Sequence, residues 1–148
     1  MIPLYVMTAG TLIARAAGAF WPALDGWQAA TRAGLALMFV FTGTAHFTRT
    51  RADLIAMVPP QIPLPGLAVT LTGLAELAGA VALLVPAWSR MAAYGLMALL
   101  VLMFPANLYA SRVGHTISGR PHTPLPARAL IQALWIGLLW WSAPDASG

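Results

Sequence analysis

The sequence predicts an all-α membrane protein: a bundle of four transmembrane helices with an additional N-terminal amphipathic or partly inserted helix. Three observations carry that expectation. Of the 148 residues, 59% are hydrophobic and 8% charged, with a mean hydropathy of +0.76, whereas soluble domains average about 25% charged. Four stretches are each apolar over the length that a hydrocarbon core of roughly 30 Å requires, about 20 residues of helix. The connections between them are rich in Pro, Gly and Arg, which stop helices or mark membrane surfaces.

The chain divides into an N-terminal helix, residues 1–22, and a four-helix domain, residues 23–148. The first segment, "MIPLYVMTAGTLIARAAGAFWP", lacks the basic leader of a signal peptide and carries Arg15 inside a weakly apolar helix. Its Gly10, Ala14 and Gly18 recur every four residues, a stripe suited to close packing on another helix. The balance favours an interfacial or partly inserted helix over a fifth span.

Four spans follow, at Gly26 to Phe47, Gly66 to Val85, Arg90 to Ala110 and Pro126 to Ala143. Between the first two, Pro59, Pro60, Pro63 and Pro65 forbid a continuous helix and predict a non-helical cap. The connection "PAWSR" is a tight turn, making the second and third spans an antiparallel hairpin. The last connection, "SRVGHTISGRPHTPL", is polar and lies outside the bilayer.

Charge and cysteine content exclude several functions. The basic residues are eight Arg and no Lys, scattered near segment ends, so they read as topology signals and not as a nucleic-acid footprint. Arg49, Arg51, Arg112, Arg120 and Arg128 outnumber Arg15, Arg32 and Arg90 on the other face, which puts the longer loops in the cytoplasm. Without cysteine, disulfides, iron–sulfur clusters and thiol redox chemistry are excluded. His115 and His122 sit seven apart in a polar loop, a solvated segment sooner than a metal site, and no metal is expected.

The candidate site comes from counting depth at 1.5 Å per residue from the face that bears the long loops. His46 lies near the exit of the first span, with Thr42 and Gly43 a turn deeper. Thr72 sits about two turns into the second span and Glu76 close to the midplane. Asn107, just after Pro105, ends the third span. Arg128 begins the fourth, with Gln132 a turn deeper and Trp135 on the same stripe. An ionised acid at the bilayer centre costs roughly 2.5–3.5 kcal/mol, so Glu76 must be neutral, paired or solvated in a cavity. The small residues Thr72, Gly73, Gly79 and Ala80 around it turn it toward the bundle interior. The reading is a buried pocket with Glu76 and His46 as proton-exchanging residues and Thr72, Asn107, Arg128, Gln132 and Trp135 binding a ligand. The rival reading of the same residues is an interhelical polar clasp.

The segments "FTGTAHF", "MVPPQIPLP", "TGLAELAGAVALLVP" and "MFPANLYA", in that order, resemble the DoxX-like family of small bacterial membrane proteins over residues 32–143. The resemblance implies a four-helix, multi-pass protein of the bacterial inner membrane, with relatives in quinone-reducing thiosulfate oxidoreductases and in complexes that handle oxidative stress. His46, Glu76 and Asn107 match the family's polar pattern, Arg128 and Gln132 more loosely. A quinone or similar lipophilic ligand, an electron-donating protein partner and membership of a redox complex are the corresponding expectations, with a homo-oligomer also open. A non-enzymatic scaffold or assembly subunit and a small-solute transporter are the alternatives.

Overall fold

The computed structural model describes residues 2–114, 116–117, 120–121 and 123–143. Over these the chain is all-helical apart from a two-residue antiparallel ladder, in which Thr116 pairs with Pro121 and Ile117 with Arg120. The helices are α1 (Ile2–Ala17), α2 (Trp27–Ala45), α3 (Arg51–Ala56), α4 (Pro65–Leu83), α5 (Pro86–Arg112) and α6 (Leu125–Ser142), with a 3-10 turn at Pro22–Leu24. Helix α2 packs on α4 and α6, α4 on α5, and α5 on α6, which closes a four-helix ring. Two helices, α4 and α5, are long and apolar enough to cross a membrane, with mean hydropathies of 1.7 and 1.8. Helices α2 and α6 are as long as α4 to within a residue, but Gln28 and Arg32 in one and Arg128 and Gln132 in the other dilute their apolar character.

Prolines set the boundaries. Pro65, Pro86 and Pro126 each stand in the first turn of a helix, where a missing N–H costs nothing and a fixed φ is already helical. "PAWSR" therefore opens α5 instead of forming the turn, and Leu84 and Val85 alone connect α4 to α5. The connection after α2 holds the short helix α3, and residues 57–64 are non-helical as the prolines require. Leu64, before Pro65, adopts the left-handed conformation at φ 54°.

Helix α1 runs antiparallel along α2 with almost no side chain between the backbones. A Cβ on Gly34 would fall 2.6 Å from the Met7 carbonyl oxygen and 2.8 Å from the Thr11 nitrogen, and one on Gly10 would come within 3.2 Å of the Gly34 Cα. The stripe Met7, Gly10, Ala14 and Gly18 is buried in this contact. The apolar core lies toward the α4–α5 turn, where Leu35, Met38 and Phe39 of α2 meet Ala80 and Leu83, Leu96 and Leu139 of the other three helices. The polar interior begins one turn above Ala80, at Glu76.

Candidate functional site

Glu76 reaches the interior because small residues let α2 and α4 cross closely. A Cβ on Gly43 would stand 3.2 Å from the Glu76 Cβ, and one on Gly73 would stand 2.6 Å from the His46 Cβ, so a larger residue at either place would force the helices apart. Glu76 is 3% exposed and His46 is 4% exposed. Thr42 joins them. Its hydroxyl donates to Glu76 Oε2 at 2.5 Å, and its carbonyl oxygen accepts a hydrogen bond from His46 Nδ1 at 3.0 Å.

That geometry has two chemical consequences. Since a carbonyl can only accept, His46 carries its proton on Nδ1, leaving Nε2 as the second ring position for exchange. The Thr42 hydroxyl can also serve either protonation state of Glu76. It donates to a carboxylate, while a carboxylic acid would donate to Thr42 Oγ1, whose own hydrogen would then turn to the Phe39 carbonyl at 3.4 Å. The two bonds do not form a wire, because Glu76 uses the hydroxyl and His46 the backbone carbonyl of Thr42. A proton passing between them needs a further carrier.

Of the remaining residues selected by depth, Thr72 lies one turn from Glu76 on α4 and Gln132 lies where α6 meets α5. Thr72 spends its hydroxyl on its own helix, donating to the Ala68 and Val69 carbonyls at 2.9 and 3.1 Å. Gln132 donates from Nε2 to the Leu100 carbonyl at 3.0 Å across the α5–α6 contact. Asn107 and Arg128 are half-buried near the end that bears the proline-rich connection. The Trp135 ring packs on the apolar core, and its Nε1–H is buried without an acceptor among the described residues. His115 and His122 lie outside the described residues, and among those described no cluster of His, Asp and Glu could hold a metal.

Neither of two cavities formed by the described residues is lined by Glu76 or His46. One, of about 390 Å³, is an open groove between α5 and α6, lined by Val101, Phe104 and Pro105 against Ala129, Gln132 and Ile136. Pro105 has no N–H, so the Val101 carbonyl loses its helical donor on the face that lines the groove. Gln132 keeps Oε1 and one amide hydrogen beyond its bond to Leu100. The groove therefore presents apolar walls with acceptors and a donor at one level. The other, of about 320 Å³, lies at the opposite end of the bundle beside Trp21, Arg32 and Ser89.

Arg51 is the residue that sequence reading placed least well, as a topology charge alone. Its guanidinium donates to the His46 carbonyl at 3.0 Å and to the Gly66 carbonyl and Thr70 hydroxyl at 2.9 Å each. It thereby ties the end of α2 to the start of α4 across the proline-rich connection. The available signal was its position five residues after His46, within reach of the orphan carbonyls that end a helix.

Residues 35–143 match the family described as a domain of unknown function (DUF8561), and the chain belongs to that family. Comparison with curated proteins and with solved structures finds no match.

Proposed function

We propose that the chain is a DoxX-like multi-pass protein of the bacterial inner membrane that binds a quinone or similar lipophilic molecule in the groove between α5 and α6. In this reading α2, α4, α5 and α6 are four transmembrane helices, and α1, antiparallel along α2, is inserted beside it. Support for membrane insertion comes from the outward faces of the most apolar helices. Only 28% of the apolar window of α4 and 22% of that of α5 is buried inside the protein, where the central helix of a soluble fold would be mostly covered. Leu67, Leu71, Leu74 and Val81 form an exposed apolar face on α4.

The observation that carries the ligand reading is the pairing of Pro105 with Gln132 in an apolar groove. A quinone has two carbonyl acceptors and its quinol two hydroxyl donors. The second Gln132 amide hydrogen suits the first, and the Val101 carbonyl with Gln132 Oε1 suits the second. Reduction of a bound quinone would draw its electrons from a non-covalent cofactor or an electron-donating partner. Glu76 favours a second, structural reading of itself. It is sealed between α2 and α4 and lines neither cavity, which supports a clasp in a scaffold subunit.

Mass spectrometry of lipids that co-purify in mild detergent tests the ligand reading. Quinone at a substantial fraction of one per chain is expected in the wild type, with loss in Ala133→Trp, because Ala133 also lines the groove and the indole would fill it. Absence of quinone from the wild type, or equal retention in Ala133→Trp, would reject this site.

A further inference from the structure

We propose that the cavity at the tryptophan-rich end of the bundle binds the phosphate of an anionic phospholipid on Arg32. The proposal rests on the membrane reading above but not on the quinone groove, whose lining residues are all different. The walls are Trp21 and Leu24 from the α1–α2 connection, Leu84 at the end of α4, and Pro86 with Ser89 at the start of α5. Arg32 is the cation that lines it.

Among the described residues Arg32 makes one hydrogen bond and has no carboxylate partner. One nitrogen donates to the Ser142 carbonyl at 2.6 Å, which docks the end of α6 on α2. A guanidinium carries five N–H groups, and the half-buried Arg32 side chain lines the cavity while one of its nitrogens bonds Ser142. The ion pair at this end joins Arg15 to Asp25 at 3.3 Å, with Arg15 also over the Trp27 ring. Arg90 faces the Tyr94 ring, so the described charges at this end are predominantly positive, a field that draws anionic headgroups.

Position supplies the second argument. Trp21, Trp27, Trp88, Trp140 and Trp141 are all at this end and all exposed. Indole rings settle at the headgroup level of a bilayer, which puts the mouth of the cavity at the depth of lipid phosphates. A phosphodiester fits the remaining Arg32 donors in the planar fork that guanidinium groups present to phosphate. Its acyl chains would follow the apolar walls outward. The first turn of α5, which contributes Pro86 and Ser89, adds the positive end of a helix dipole on the same side.

The test uses full-length protein purified in mild detergent, scored by native mass spectrometry and by thermal stabilisation. The probes are phosphatidylglycerol, phosphatidylcholine with the same chains, and inorganic phosphate. Phosphatidylglycerol is expected to bind at least about tenfold more tightly than phosphatidylcholine, with the preference lost in Arg32→Gln and largely kept in Arg32→Lys. Ala29 also lines the cavity, so Ala29→Leu, which intrudes on it while leaving Arg32 in place, covers the case that Arg32→Gln fails to fold and is expected to lose the same preference. Stabilisation by inorganic phosphate equal to that by phosphatidylglycerol would identify free phosphate as the ligand and overturn the lipid assignment. Equal binding of the two lipids would overturn the site. Release of the protein from membranes by carbonate would instead reject the membrane reading itself.

Discussion

The bond between Thr42 and Glu76 makes a quantitative demand on the stability of the bundle. Glu76 is sealed inside, and among the described residues its hydrogen-bond partner is the Thr42 hydroxyl at 2.5 Å. Thr42→Val keeps the shape and removes the donor, leaving a buried carboxyl group unsatisfied at a cost of about 1–3 kcal/mol. At roughly 2–4 °C per kcal/mol for a chain of this size, Tm should fall by several degrees. Glu76→Gln retains an acceptor for the hydroxyl and should cost about 1 kcal/mol or less. Thr42→Val combined with Glu76→Leu removes both polar partners, so the double variant should be more stable than Thr42→Val alone. Thermal unfolding of wild type, Thr42→Val, Glu76→Leu and the double variant in one detergent measures the cycle, with Glu76→Gln alongside. Thr42→Val indistinguishable from wild type, or a double variant no better than that single one, would refute the claim that this pair holds α2 to α4. Quinone retention on the same samples separates the roles of Glu76. A clasp leaves retention in Glu76→Gln unchanged and its turnover with an electron donor intact, whereas proton exchange requires that turnover to fail.

Three further outcomes follow from the geometry. Gly34→Ala should destabilise by about 2–3 kcal/mol relative to Gly137→Ala, because its methyl meets backbone of α1 while that of Gly137 meets nothing within 4 Å; equal melting temperatures would contradict the α1–α2 contact. Arg51→Ala should lower stability by about 2–3 kcal/mol and expose residues 57–64 to limited proteolysis, and Arg51→Lys should restore little, since one ammonium cannot span the three acceptors. Leu64→Gly should gain about 1 kcal/mol by relieving a positive φ of 54°; a loss of stability would show that the exposed Leu64 side chain matters more than the strain.

The sequence by itself determined what depends on near neighbours along the chain. The apolar runs, the four-residue spacing of Gly10, Ala14 and Gly18, and the start of α4 to within a residue are local properties, because helix periodicity and proline's fixed φ act within a few residues, whereas "PAWSR", read as a turn, opens α5. The burial of Glu76 was legible for the same reason, since Gly73 and Ala80 mark its face of the helix as the one that meets a neighbour closely. What only the tertiary structure decided is which of the polar residues meet. Counting residues gives height along the bundle axis but not position around it, so residues at one depth need not share a pocket. Thr42, from α2, is the partner of Glu76, while Gln132 at a comparable depth turns to the Leu100 carbonyl on another side of the ring and Thr72 closes on its own helix. Arg32 and Arg51 differ in the same way: as charges along a chain they are equivalent, and the packing of α6 and α4 against α2 gives one a carbonyl beside an open cavity and the other three acceptors across a connection.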